Sequence, residues 1–134
     1  MSVPFDILLD AEARLVEIVY PARPTVDEVE DYIYRVRTVI DGYAPGGWLC
    51  LVDQRNVLVM SPELVDKVRI LNVYAVSRGL LRSARVVATA VAGLQASRMA
   101  REGSLGIEVQ TFDTRDAALA WLTSSALPAP RPRR

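Results

Sequence analysis

The sequence predicts a single α/β domain with the element order β-β-α-β-α-β-α-β-α. Its sheet would be five-stranded and mixed, mostly parallel. Three observations lead there. Two short strand-like runs near the start are joined by Asp10-Ala11-Glu12-Ala13-Arg14, a connection that suits a hairpin. A long amphipathic helical pattern then precedes the unbroken apolar run Trp48-Leu49-Cys50-Leu51-Val52. A strand reached through a helix implies a right-handed crossover to a parallel neighbour. Finally, the stretch from Arg85 to Leu122 reads as buried strand, helix, strand, helix, for which the earlier elements must supply partners.

Taken in order, Phe5 to Leu9 and Leu15 to Tyr20 are the first two predicted strands. In the second, Val16, Ile18 and Tyr20 place one apolar face toward a core. Pro21 and Pro24 end strand pairing. Thr25-Val26-Asp27-Glu28 has the form of a capping box, in which hydroxyl and carboxylate each satisfy an amide at the helix start. The helix it opens carries Val26, Val29, Ile33, Val36 and Ile40 at three- and four-residue steps, and Gly42 is its expected end. Acidic residues crowd its first turns and Arg35 and Arg37 follow, as the helix dipole favours.

The strand Trp48 to Val52 runs into Asp53. Residues Gln54 to Met60 read as a loop whose Val57-Leu58-Val59-Met60 segment packs onto the sheet. Ser61-Pro62-Glu63 starts a second helix, with proline at its first position and Leu64, Val68, Leu71 and Ala75 on its buried side; Gly79 lies at or near its end. The next strand is expected at Arg85 to Val91, followed by a short helix from Leu94 to Arg101, a strand from Ile107 to Phe112, and a helix from Asp113 to Ser124 capped by Asp113 or Thr114. The domain thus spans residues 1–126, and residues 127–134 form a Pro/Arg tail expected to be extended and flexible.

Bulk properties narrow the functional classes. Apolar residues make up 51% of the chain, a globular composition. Sixteen basic and 16 acidic residues give zero net charge, which argues against a nucleic-acid binder. Cys50 is the only cysteine, so no internal disulfide forms and a reducing, cytoplasmic setting is expected. The first residues do not read as a signal peptide, and no apolar run suits stable membrane insertion.

The chemistry-bearing residues are few. There is no histidine, hence no Ser-His or Cys-His arrangement and no imidazole ligand. Cys50, mid-strand among Leu49, Leu51 and Val52, reads as a buried, inert thiol. With one cysteine and no histidine, neither zinc nor any other metal is expected, and no dinucleotide fingerprint implies a cofactor. Asp53 lies at the C-terminal end of a central strand, where open α/β sheets place their sites, with Arg55 and Asn56 beside it. It reads as a cap or turn aspartate, or as a contact in a partner or ligand site. Ser61 reads as an N-cap, or as a hydroxyl whose phosphorylation at a helix start could switch partner binding. Tyr32, Tyr34 and Tyr43 are candidates for core or interface packing.

The strand–helix order, together with the ending Val109-Gln110-Thr111-Phe112-Asp113-Thr114-Arg115-Asp116-Ala117-Ala118-Leu119-Ala120-Trp121-Leu122, resembles the SpoIIAA-like branch of the STAS domains. These are similar to bacterial anti-sigma-factor antagonists and share fold features with CRAL-TRIO lipid carriers. The resemblance implies a partner-binding domain, often dimeric, that performs no catalysis. Regulatory STAS domains carry a phosphorylatable serine in an Asp-Ser-Ser/Thr-Gly-like segment at the start of the second helix. Here that region reads Asp53-Gln54-Arg55-Asn56 and continues to Ser61-Pro62-Glu63; the aspartate is in place, the following serine and the glycine are not. The phospho-switch is therefore not carried onto Ser61.

The expected function is a non-catalytic bacterial regulatory module that binds a protein partner or itself, with Asp53, Arg55, Asn56 and Ser61 as candidate contacts. The alternative is a carrier of a lipid or other apolar small molecule, with the second helix as a lid over Val57 to Met60. An enzyme working through Asp53, Arg55 and other carboxylates is a third reading.

Overall fold

The computed structural model describes residues 5–43, 46–58, 60–88 and 107–124. Its elements are β1 (Asp6–Asp10), β2 (Leu15–Val19), α1 (Val26–Tyr43), β3 (Trp48–Asp53), α2 (Pro62–Ser77), β4 (Leu80–Val86), β5 (Glu108–Phe112) and α3 (Arg115–Leu122). The five strands form one sheet in the order β1-β2-β3-β4-β5. β1 and β2 are antiparallel, and every later neighbour is parallel. The mixed α/β sheet read from the sequence is thus present. The expected helix Leu94 to Arg101, the Pro/Arg tail and Val59 lie outside the described residues.

Local chemistry explains the well-placed elements. Thr25 and Glu28 form the reciprocal capping box, with the Glu28 amide donating to Thr25 Oγ1 and the Thr25 amide to Glu28 Oε1. Helix α1 buries Val29, Tyr32, Val36 and Ile40 and continues one residue past Gly42 to Tyr43. Helix α2 buries Leu64, Val68, Leu71 and Ala75. Gly79, with φ of 102°, turns the chain back toward the sheet in a backbone region that disfavours other residues.

The sheet divides two cores. Strand positions alternate between faces, so Val16, Ile18, Cys50 and Val52 point one way and pack with α1 and α2 residues. Leu15, Leu49, Leu51, Ala84 and Val86 point the other way and pack with Ala118 and Leu122 of α3. Phe5, Tyr20 and Tyr32 close the first core near β1, with ring centroids 4.3–5.6 Å apart. Of the three tyrosines singled out from the sequence, Tyr32 is core, Tyr43 is half-buried with the Arg14 guanidinium over its ring, and Tyr34 is 74% exposed.

One strand is displaced from its expected place. β4 begins at Leu80, five residues before Arg85, and ends at Val86, so Val87 and Ala88 lie beyond it. The apolar character of Val86 and Val87 drew the expected start too far along the chain, and Thr89 to Val91 of the expected strand lie outside the described residues. The segment that forms β4 includes Arg82, Ser83 and Arg85, all buried. A shift of register between Trp48 and Leu49 in the β3–β4 pairing puts both Leu81 and Arg82 on the α3 face.

Arg82 is accommodated there by several partners. It lies over the Trp121 ring at 4.8 Å, donates to the Trp121 carbonyl and to Ser124 Oγ, and pairs with Glu108 at 3.5 Å. The arginine therefore fastens the end of α3 to the sheet.

Candidate functional site

The C-terminal ends of β2 and β3 carry a cluster of charged groups. Asp53 closes β3, and its side chain is buried. Its Oδ1 accepts from the Arg55 amide at 3.1 Å and from Arg55 Nε at 3.0 Å, while Oδ2 accepts from Nη2 at 2.8 Å. Burial alone would raise the Asp53 pKa. The Arg55 hydrogen bonds, with the charges of Arg55 and Arg115, outweigh it and hold the carboxyl below its ordinary value.

A second pair lies alongside. Glu17 of β2 shares the sheet face of Asp53, because its register partner is Leu51. Its carboxylate accepts from Arg115 Nε at 2.7 Å and from Nη2 at 2.8 Å. Arg115 is the first residue of α3, and Thr114 caps that helix by accepting from the Ala117 amide. The two pairs feel each other. Arg115 contributes to holding Asp53 low, and Glu17 helps to raise Arg55, whose largest upward influence is its hydrogen bonding to Asp53.

The β3–α2 loop leaves this cluster under backbone control. The Gln54 amide donates to the Val86 carbonyl, Val57 to Gln54, and Leu58 to the Ala22 carbonyl at 2.9 Å. Val57 and Met60 pack against the larger core. Leu58 does not, and this corrects the expectation that the whole apolar segment lies on the sheet: its side chain is 66% exposed. Asn56 is exposed in the turn. Ser61 is the N-cap of α2, accepting from the Leu64 amide at 3.4 Å. The structure thus joins Asp53 to Arg55, places Asn56 in the same turn, and gives Ser61 the capping role at the loop's far end.

Sequence reasoning missed Glu17 and Arg115. Glu17 does carry a signal, as the one charged residue inside the apolar strand Leu15-Val16-Glu17-Ile18-Val19. Arg115 carries none, since its partner is 98 residues away.

Chemically, each buried carboxylate is gripped by a guanidinium fork, which fixes charge and orientation. Cys50 is buried, and burial pushes its thiol up to about 11 against a weaker downward pull from Arg85. Among the described residues no three His, Cys, Asp or Glu side chains converge as metal ligands, and no helix is long and apolar enough to cross a membrane.

The fold is similar to that of an uncharacterised protein of the DUF3478 family from Shewanella loihica PV-4, whose crystal structure is described as having a SpoIIAA-like fold. The TM-score is 0.73 at 13% sequence identity, covering 91% of this chain and 95% of that one. The chain therefore has a SpoIIAA-like fold, in agreement with the resemblance read from its last strand and helix. No family model matches the sequence, and no curated protein matches it.

Proposed function

We propose that this chain is a non-catalytic, cytoplasmic regulatory module of the SpoIIAA-like type, and that it binds a protein partner through the β3–α2 loop. One observation carries the reading. Leu58 is held out to solvent on a loop whose backbone is pinned at Gln54, Val57 and Leu58, a few residues along the chain from the paired charges of Asp53 and Arg55. An apolar side chain with a charged surround is the arrangement that protein interfaces use, with an anchor at the centre and a polar rim. Its position outside the carboxyl ends of parallel strands is where open α/β sheets bind what they bind. Ser61, at the end of the same loop, would place a modification beside the contact.

The absence of histidine and the pairing of Asp53 and Glu17 with arginines leave this face suited to recognition rather than proton transfer. Tagged protein passed over a native bacterial lysate, with light scattering of the purified chain, tests the reading. Retention of a protein partner, or formation of a homodimer, is expected in wild type and lost in Leu58→Asp. A strict monomer that retains nothing overturns it.

A further inference from the structure

Strand β1 is an outer strand of the sheet, and among the described residues only β2 pairs with it. The backbone groups along its other side are a template for one more strand. Sheets guard such a side with charge, proline or short length. The charge on β1 is of one sign. Asp6 and Asp10 are exposed at its two ends, and Glu12 is exposed in the turn that follows. Between the aspartates, Leu8 and Leu9 are 49% and 55% exposed. Register sorts these side chains. Leu15, opposite Asp10, lies in the core beneath α3, so Asp6, Leu8 and Asp10 share that face. Ile7 and Leu9 lie on the other face, opposite Ile18 and Val16. There Ile7 packs against the larger core, while Leu9 stays exposed.

The two aspartates are not neutralised. Among the described residues neither forms an ion pair, and Asp10 Oδ1 accepts from the Ala13 amide at 3.1 Å. The guanidinium groups around the hairpin are engaged elsewhere: Arg14 with the Tyr43 and Gly47 carbonyls, Arg35 with Asp31 and the Phe5 carbonyl, and Arg115 with Glu17.

We propose that β1 is a docking edge for an extended peptide segment that carries two basic residues four apart with apolar residues between them. Charge selects this occupant. A second copy paired antiparallel about Leu8 would set Asp6 opposite Asp10 twice, and like charges directly opposed are destabilising. A strand of the pattern basic–apolar–apolar–apolar–basic sets a cation opposite each aspartate and an apolar side chain opposite Ile7, Leu8 and Leu9. Main-chain hydrogen bonds supply affinity, and the alternating side chains supply selection. The edge is separate from the β3–α2 loop, and the proposal stands independently of the docking role of Leu58.

Amide chemical-shift mapping and hydrogen exchange of the full chain test this with acetylated, amidated peptides. One is Ser-Arg-Val-Leu-Val-Arg-Ser. The second has aspartate in place of both arginines. The third has proline in place of leucine and the valine after it, which removes a ladder donor whichever way the strand faces. The arginine peptide is expected to shift and protect amides of residues 6–10, and to bind wild type and Leu58→Asp equally. The aspartate and proline peptides are expected to bind more weakly. The double variant Asp6→Asn, Asp10→Asn is expected to weaken the arginine peptide by about 4- to 25-fold, since each opposite-charge cross-strand pair is worth about two- to five-fold. Both substituted residues are exposed, so the fold is retained. Failure of the arginine peptide to bind overturns the proposal. So does equal binding of the aspartate or proline peptide, or a response that leaves residues 6–10 unchanged.

Discussion

Removing Arg115 should cost more stability than removing Arg115 and Glu17 together. The pair spans 98 residues and ties the first turn of α3 to β2 through two short hydrogen bonds. Its two ends differ in solvation. The Glu17 side chain is 9% exposed, whereas that of Arg115 is 43% exposed. Breaking a fully buried ion pair from one side costs about 3–5 kcal/mol, and an exposed pair contributes about 0–1 kcal/mol. With one partner open to water the Coulomb part is screened, so Arg115→Met is expected to cost about 1.5–3 kcal/mol, chiefly because Glu17 keeps its burial and loses its partner. The double variant Glu17→Met, Arg115→Met removes the stranded charge and is expected within about 1 kcal/mol of wild type. Urea denaturation of the four proteins gives the cycle, with unchanged m-values marking a two-state comparison. An Arg115→Met cost below about 0.5 kcal/mol would refute this reasoning. So would a double variant as unstable as the sum of the singles.

Other groups give simpler tests. Asp53 has its folded pKa below the ordinary value, so it adds stability above that value and loses it as pH falls through the folded one. Asp53→Asn is therefore expected to flatten the acid limb of the stability profile below about pH 4, measured by urea midpoints across pH. Cys50 has its pKa raised from 9.0 to about 11, so the neutral thiol adds stability below pH 9.0 and loses it as pH rises through about 11. Its reaction with a thiol reagent at neutral pH is expected to proceed at the rate of opening of the fold and to quicken in urea; fast reaction in native buffer would contradict its burial.

Much of this fold is written locally. The capping box at Thr25 and Glu28, the proline after Ser61, and the four buried residues of α2 each follow from chemistry confined to one turn or one helix face. The β1–β2 connection is similarly short-range, and the crossover from β2 to β3 follows from the handedness of parallel connections. β4 was not legible, because apolar content marks a buried strand only when the polar residues on it have no tertiary partners. Arg82 is tolerated by Trp121, Ser124 and Glu108, all remote in sequence. The candidate site divides in the same way. Asp53 could be found from its place at a strand end and Arg55 from its adjacency, but Arg115 reaches Glu17 only once the sheet and the last helix have assembled. Leu58 had an apolar neighbourhood in sequence and lost it in space, since Val57 and Met60 occupy the core and the turn leaves Leu58 outside.

The role of that side chain is open to one direct measurement. The affinity of the chain for the partner it retains, or for itself, should be compared in wild type, Leu58→Asp and Tyr34→Asp, the last altering the 74% exposed tyrosine on α1. Leu58→Asp is expected to weaken the complex by about 30-fold or more, as for an interface anchor, while Tyr34→Asp leaves it nearly unchanged. Equal affinities for wild type and Leu58→Asp, or a loss confined to Tyr34→Asp, would contradict a docking face at the β3–α2 loop.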